Sequence, residues 1–195
     1  VQEMADFVGL GFELAFKYNN PAIILADGVI GQMMEKVVLP PFQKRRTEEE
    51  IRKNCPWAAL GKTADRKRNV ITSLELDPAV MEENNIRFQK KYKIIEKEEV
   101  RYEEINCEDA DYLIVAFGSM ARICQKTIEM AQEQGIKIGL LRPITLWPFP
   151  SQAIAAYTDK IKGIISVELN AGQMVEDVRL AVNGKVKVEH FGRLG

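Results

Sequence analysis

The sequence lacks the clustered cysteines and histidines on which iron–sulfur and zinc sites depend. Its three cysteines, Cys55, Cys107 and Cys124, lie far apart, no CxxC pair occurs, and the one histidine is His190. Such sites need several thiolate or imidazole ligands close together. We therefore expect this chain alone to carry no metal cluster. An odd cysteine count without a recognisable secretion signal is typical of a reducing cytoplasm, which is the location we expect.

The sequence also lacks an excess of charge and a long apolar run. It carries 27 Lys and Arg against 28 Asp and Glu, for a formal net charge of −1. Nucleic-acid-binding proteins usually have a basic excess or a basic face, so we expect no nucleic-acid partner. No apolar run approaches the roughly 20 residues that span a bilayer, so we expect no membrane segment. With 46% hydrophobic residues the chain can still bury a core.

Motifs for nucleotide binding and nucleophilic catalysis are missing as well. There is no GxGxxG and no Walker sequence, and a single late histidine rules out a recognisable Ser–His–Asp or Cys–His arrangement. The spacing of the carboxylates indicates no acid/base pair. Composition and spacing therefore predict an α/β protein with an anion or acyl-group site, and they do not define a reaction.

Residues 1–40 read as one helix–turn–strand unit. Apolar residues at helical spacing predict a helix over Glu3–Tyr18, and Asn19-Asn20-Pro21 should end it. The apolar run Ala22–Ala26 predicts a strand buried on both faces, followed by a turn at Asp27-Gly28. Because the sequence opens at Val1 within a helical pattern, we expect that an N-terminal part is missing.

Residues 41–106 form a connector dense in charges of both signs, with 15 Lys and Arg and 13 Asp and Glu. Asp77-Pro78 is a favourable helix start, since Asp caps and Pro is tolerated at the first helical position. A narrow apolar stripe with a seven-residue repeat predicts one long charged helix lying across its own domains, rather than an intermolecular coiled coil. The stripe consists of Met81, Phe88, Ile95 and Tyr102, with Tyr92 between them.

Residues 107–195 alternate predicted strands and helices, as expected for a mostly parallel sheet covered on both faces. The predicted strands are 112–117, 136–141, 161–169 and 185–190, and the predicted helices are 121–134, 151–158 and 173–182.

Ligands of open parallel sheets bind outside the carboxyl ends of the strands, which indicates four loops. The candidate residues in these loops are Asp27, Gly118, Ser119, Arg142, Glu168 and Asn170, with Gln173 beside them. Gly118-Ser119 could bind an anion at a helix start or be a plain turn, and Arg142 could pair with a ligand carboxylate or with a loop residue such as Glu168. Asp27 could cap a turn, and the set at 168–173 could cap the helix that follows. The rings of 146–150 are expected to pack against the next domain, with stacking on a cofactor as the alternative.

Several strings resemble alpha subunits of 2-oxoacid:ferredoxin oxidoreductases. PAIILADGVIGQ resembles the end of their pyrimidine-binding domain, and four later strings resemble their second domain in the same order. The later strings are ADYLIVAFGSMAR, GLLRPITLWPFP, SVELNAGQMVEDVR and HFGRLG. The resemblance implies a remnant of the pyrimidine-binding domain at 1–40, the connector at 41–106, and a transketolase C-terminal-like three-layer α/β domain at 107–195.

The resemblance also implies an activity that belongs to an assembly. Such enzymes convert a 2-oxoacid and coenzyme A into an acyl-CoA, and the substrate expected here is 2-ketoisovalerate. Thiamine diphosphate with Mg would lie between this subunit's pyrimidine domain and a beta subunit, iron–sulfur clusters on other subunits would reduce ferredoxin, and gamma- and delta-type subunits would complete the enzyme. No catalytic residue is transferred to this chain, which alone should be inactive. The alternatives are another thiamine enzyme, such as a transketolase or a 2-oxoacid dehydrogenase beta chain, and a non-enzymatic nucleotide or acyl-CoA binding module.

Overall fold

The computed structural model describes residues 1–65 and 67–194 as seven helices and five strands. In the described residues, no helix is long and apolar enough to cross a membrane. The elements are α1 Gln2–Tyr18, α2 Gly28–Gln32, α3 Glu48–Asn54, α4 Pro78–Glu98, β1 Tyr102–Ile105, β2 Tyr112–Val115, α5 Gly118–Glu133, β3 Ile138–Pro143, α6 Ser151–Ala155, β4 Gly163–Glu168, α7 Met174–Val182 and β5 Val188–Gly192.

The chain divides into two compact units that interleave in sequence. The first contains Val1–Leu25 and Met33–Lys91, and the second contains Ala26–Gln32 and Tyr92–Gly195. The short segment that carries Asp27 therefore belongs to the second unit, although the residues before and after it belong to the first. The division into 1–40, 41–106 and 107–195 expected from the sequence stays a prediction.

The second unit is built on a five-stranded sheet with the order β1-β3-β2-β4-β5. Strands β3, β2, β4 and β5 are parallel to one another, and β1 pairs with β3 in the antiparallel direction. The mostly parallel sheet expected from the alternating pattern is confirmed. Strand β1 was not predicted, because its sequence YEEI is short and charged and lies mostly exposed at the sheet edge.

Side chains of the central strands point alternately to two cores, which makes the unit a three-layer α/β structure. Leu113 and Val115 of β2 belong to one buried cluster, together with residues of α6 and α7. Ile114 and Ala116 belong to the other, together with residues of α5. This alternation is why the strands read as continuous apolar runs in the sequence.

The helix ends follow the local chemistry that the sequence predicted. Asn19 adopts a left-handed conformation and its N–H bonds the Ala15 carbonyl at the end of α1. Asp77 caps α4, with Oδ1 accepting from the Ala79 N–H at 2.9 Å. Helix α3 was not predicted, although Thr47 and Glu50 form a capping box that signals such a start.

Two predictions for the first half of the chain are wrong. Ala22–Ala26 is not a strand and is exposed throughout, since none of the described strands pairs with it and a strand needs hydrogen-bonded neighbours. The apolar stripe does not continue the long helix to Tyr102, because α4 ends at Glu98 and Tyr102 begins β1. In α4 itself, only Ile95 is buried.

Candidate functional site at the carboxyl edge of the sheet

The order of the parallel strands defines a switch point between β2 and β4. From β2 the chain passes through α5 to β3 on one side, and from β4 it passes through α7 to β5 on the other. The two helices pack on opposite faces of the sheet. At such a point the loops after the two strands diverge and leave a crevice, which is where open α/β sheets bind ligands. The loops that flank it are Phe117–Ser119 and Leu169–Gln173.

On the β2 side, the carboxylate of Asp27 lies at the start of α5. The Ser119 hydroxyl donates a short hydrogen bond to Asp27 Oδ2, and the Ile30 N–H donates to Oδ1 at 2.8 Å. Gly118, with φ of 57°, turns the chain into the helix beside this carboxylate. Hydrogen bonds from the Ser119 hydroxyl and then the Ile30 N–H hold the pKa of Asp27 below its ordinary value. The predicted anion position at Gly118-Ser119 is thus filled by a carboxylate of the chain itself.

On the β4 side, the carboxylate of Glu168 lies at the start of α7. Glu168 is almost completely buried, with 1% of its surface exposed. Its two carboxylate oxygens accept hydrogen bonds from the Gln173, Met174 and Val175 N–H groups at 3.1, 2.8 and 2.9 Å. The Ser166 hydroxyl donates to Oε1 at 2.9 Å. Burial raises the pKa of Glu168, but these hydrogen bonds outweigh burial and the net pKa lies below its ordinary value.

The loop after Glu168 turns its asparagine inward and its glutamine outward. Asn170 Oδ1 accepts a hydrogen bond from the Gly172 N–H at 2.7 Å, and the Asn170 side chain also bonds Glu168. Gln173 is exposed. Of the polar set predicted here, Glu168 and Asn170 are therefore used within the protein.

Two members of this cluster were missed by sequence reasoning. Ser166 stands opposite His190 in the β4–β5 register, so both lie on the same sheet face as Glu168. Among residues 1–65 and 67–194, His190 Nε2 is buried with no hydrogen-bond partner, and it lies 3.8 Å from Glu168 Oε1. The signal for Ser166 was its i, i+2 spacing to Glu168, but no local sequence feature indicates that β5 brings His190 alongside.

Arg142 lies apart from these two loops. It is a residue of β3, where Nε donates to Glu103 Oε2 of β1 at 2.7 Å, and the two residues face each other in the antiparallel register. Of the two alternatives for Arg142, an ion pair within the chain is therefore observed, but Glu168, the partner named as an example, is wrong, since Glu168 is on β4 and β2 lies between β4 and β3. The Arg142 side chain is 18% exposed.

The segment after β3 is joined to Arg101 by hydrogen bonds. The Ile144 and Thr145 N–H groups donate to the Arg101 carbonyl at 3.0 and 3.1 Å, and Thr145 Oγ1 accepts from the Arg101 N–H at 2.9 Å and donates to the Pro148 carbonyl at 2.7 Å. Trp147 contacts Tyr92 edge-on, with 5.8 Å between the ring centroids, and remains 53% exposed. Because Tyr92 belongs to the same unit, the packing of this aromatic segment against the next domain stays a prediction.

Carboxylates of the chain itself lie at both helix starts beside the switch point, but they bind them differently. At α7, the Gln173, Met174 and Val175 N–H groups all donate to Glu168, so these donors are already occupied. At α5, Asp27 accepts from the hydroxyl and the backbone of Ser119. Within residues 1–65 and 67–194, no three His, Cys, Asp or Glu side chains are grouped as a metal site would require.

The chain is similar in sequence to oxidoreductase and synthase subunits. Residues 110–195 match the family described as pyruvate:ferredoxin oxidoreductase core domain II. Ketoisovalerate oxidoreductase subunit VorB of Methanothermobacter marburgensis is 45% identical over 195 residues, which are 100% of this chain and 53% of that protein. 2-Oxoglutarate synthase subunit KorA of Archaeoglobus fulgidus is 30% identical over 197 residues, which are 100% of this chain and 55% of that protein.

A solved structure shares the fold. The 2-oxoglutarate:ferredoxin oxidoreductase from Magnetococcus marinus, with 2-oxoglutarate, coenzyme A and succinyl-CoA bound, superimposes with a TM-score of 0.52 at 24% identity, covering 62% of this chain and 21% of that chain. The chain spans about half the length of the curated relatives that it matches. The sequence resembles alpha subunits, but the relatives from Methanothermobacter are named VorB, which denotes the beta subunit.

Proposed function

Because the chain belongs to the 2-oxoacid:ferredoxin oxidoreductase family as a subunit, we propose that it forms part of an enzyme that oxidises 2-ketoisovalerate. This choice of substrate is supported by the sequence identity, which is 45% to ketoisovalerate oxidoreductase subunit VorB and 30% to 2-oxoglutarate synthase subunit KorA, each over the whole chain.

The proposed reaction joins coenzyme A to the acyl part of the 2-oxoacid. The bond between the carboxylate and the carbonyl carbon of 2-ketoisovalerate breaks, and the carboxylate leaves as carbon dioxide. A thioester bond forms between the acyl carbon and the sulfur of coenzyme A, giving isobutyryl-CoA and one proton. The two electrons released pass to ferredoxin through iron–sulfur clusters of other subunits. Thiamine diphosphate, when bound, supplies the stabilisation of negative charge that decarboxylation of a 2-oxoacid requires.

The described residues of this chain do not fit the diphosphate and its Mg. Three acidic, histidine or cysteine ligands are not grouped anywhere in 1–65 or 67–194, and the helix starts of α5 and α7 already hold Asp27 and Glu168. We therefore place the diphosphate on another part of the enzyme. For this chain we propose the role of shaping one wall of the site with the loops beside the switch point and of contacting partner subunits.

The division of the chain is part of the same proposal. We assign residues 1–40 to the end of the pyrimidine-binding domain, 41–106 to the connector and 107–195 to the transketolase C-terminal-like domain. Support for the first assignment comes from apolar side chains in 1–40 that are exposed in the structure, among them Phe12, Ile23 and Leu25 at 65%, 80% and 67%. We also propose a cytoplasmic location, which the three free buried thiols of Cys55, Cys107 and Cys124 support.

The test is reduction of a viologen by the assembled enzyme without oxygen. The full-length subunit is co-expressed with its neighbouring subunits and assayed with 2-ketoisovalerate, pyruvate and 2-oxoglutarate, each with and without coenzyme A. We expect reduction that depends on coenzyme A and is fastest with 2-ketoisovalerate. Faster reduction with 2-oxoglutarate or pyruvate would overturn the substrate. Activity with NAD but not with viologen would favour the rival dehydrogenase interpretation.

A further inference from the structure

The switch point is flanked by two carboxylates that face inward. Asp27 binds the start of α5 and Glu168 binds the start of α7. The two helices have 16 and 9 residues, lie on opposite faces of the sheet and follow the adjacent strands β2 and β4. A carboxylate of the chain thus lies at each of two helix starts, on different elements, beside the edge where ligands of this fold class bind.

The Glu168 carboxylate controls the shape of its loop through the backbone. It accepts from three successive N–H groups, those of Gln173, Met174 and Val175. These are the first backbone donors of α7, which have no partner inside the helix. The carboxylate therefore joins the end of β4 to the start of α7 and fixes the distance that the loop between them spans. Because Glu168 is 1% exposed, it does not reach a ligand itself.

The packing around this loop leaves it little freedom to adopt another shape. A Cβ added to Gly192 of β5 would overlap the Asn170 carbonyl oxygen and would come within 2.6 Å of His190 Cε1. Gly172, with φ of 110°, makes a turn that other residues rarely adopt. The Arg193 N–H also bonds the Glu168 carbonyl at 3.1 Å. The loop is therefore fixed from β5 as well as from its own carboxylate.

We propose that Glu168 and Asp27 are positioning residues that serve as built-in anions, fixing the two loops beside the switch point in the shape that the 2-oxoacid:ferredoxin reaction needs. This inference rests on the proposed function, because it assigns the loops to that enzyme's site. In this arrangement the Glu168 carboxylate takes the position that phosphate occupies at helix starts in nucleotide-binding folds, and Asp27 binds the side chain at the start of α5. The Gln173 side chain is exposed beside Glu168.

The experiment removes the anion and then supplies it from solution. Glu168→Ala in the assembled full-length enzyme should lower kcat/KM by about 100-fold, the size of effect expected when a site is misplaced by about 1 Å. Formate, a carboxylate small enough for the vacated volume, should restore activity and raise the melting temperature with saturation. Sodium chloride at equal ionic strength should do neither.

Two variants serve as controls. Glu168→Gln keeps the shape but places an NH2 group against backbone N–H donors, so it should lose activity and gain nothing from formate, because the volume is filled. Glu176→Ala changes an exposed carboxylate in the first turn of the same helix and should resemble the wild type with and without formate.

The outcomes separate the inference from the function on which it rests. Wild-type activity in Glu168→Ala or Glu168→Gln would overturn the positioning role. A loss in Glu168→Ala with neither recovery nor thermal stabilisation by formate would overturn the built-in anion. If Glu168→Ala does not assemble, Glu168→Gln decides by its kcat/KM. If none of the three 2-oxoacids supports viologen reduction by the wild type, the proposed function fails. The effect of formate on the melting temperature of Glu168→Ala still tests the built-in anion in that case.

Discussion

At the scale of single residues, the same side-chain chemistry serves different purposes according to what surrounds it. For Asp27 and Glu168 the sequence left two possibilities, contact with a ligand or capping of a turn or helix, and in the structure both carboxylates cap elements of their own chain. The residue type and its place after a strand could be read from the sequence. The direction in which a carboxylate points depends on which N–H groups the fold brings near it, and that requires the tertiary structure.

Glu168 should make the stability of the chain depend on acid. Its pKa in the folded state lies below the ordinary value of 4.5, so its stabilisation is complete above the unfolded value and is lost as the pH falls through the folded value. Glu168→Gln should cost about 2–3 kcal/mol of unfolding free energy near neutral pH, because an amide cannot accept all of these hydrogen bonds.

The measurement is urea unfolding of wild type and variant at several values between about pH 7 and about pH 3. The difference between the two proteins should shrink as the pH falls below 4.5. A difference that stays constant over this range would exclude the carboxylate as its source. Asp27, whose pKa is also lowered, contributes to both proteins equally and cancels in the comparison.

Gly192 should tolerate no larger residue, because of its place in the cluster. In Gly192→Ala the new methyl group would overlap the Asn170 carbonyl oxygen, and we expect a loss of about 2–3 kcal/mol, as overpacking of a close contact costs. The matched control is Gly163→Ala, a strand glycine whose added Cβ would meet the Lys187 carbonyl oxygen at 3.7 Å, an ordinary contact. Thermal unfolding measures both, and equal melting temperatures would contradict the close approach.

At the scale of secondary structure elements, the sequence predicted the second half of the chain well, and in the first half it predicted helix α1 and the start of α4 but also a strand that does not form. In 107–194, strands packed on both faces produce apolar runs, and β2, β3 and β4 appear near their predicted positions. In the first half, Ala22–Ala26 has the composition of such a strand, but no described strand pairs with it. Composition predicts that a segment can be buried, whereas pairing depends on a neighbour that the sequence pattern does not specify.

The pairing of β1 with β3 places Arg142 opposite Glu103. Arg142 can act through this ion pair or through contact with substrate or a partner, and substitutions of the two residues distinguish these roles. If Arg142 faces substrate or a partner in the assembled enzyme, Arg142→Ala should lower activity more than it lowers the melting temperature. Glu103→Ala removes the same ion pair and should leave activity close to wild type, with a stability loss of about 0–1 kcal/mol, because Glu103 is half exposed.

Viologen reduction and thermal unfolding of both variants in the assembled enzyme measure this difference. Equal losses of activity in Arg142→Ala and Glu103→Ala would mean that Arg142 acts only through its ion pair with Glu103 of β1. An unchanged rate in Arg142→Ala, together with a lower melting temperature, would lead to the same conclusion.

At the scale of the whole molecule, the first unit has much apolar surface and little core. Helix α1 has no buried residue, and Met34, Leu39 and Phe42 are 98%, 77% and 97% exposed. Exposed apolar surface of this kind usually marks an interface. The sequence could predict that residues 1–40 are apolar, but not which surface covers them.

Hydrogen exchange tests whether assembly covers this surface. Amides of residues 20–45 should exchange quickly in the isolated chain and much more slowly in the enzyme assembled from full-length subunits. Amides of β2 and β4 serve as the internal control and should be protected in both, because these strands are central in the sheet. Equal exchange of 20–45 in the two states would contradict a role for this surface in assembly.

The carboxylates at the starts of α5 and α7 also differ from a bound phosphate in how they respond to concentration. Occupancy by a free anion follows its amount in the medium and falls on dilution. A carboxylate attached to the neighbouring strand or segment is present at a fixed effective concentration set by the chain, whatever the medium contains. The two loops beside the switch point should therefore keep one shape when the phosphate concentration around the protein rises or falls.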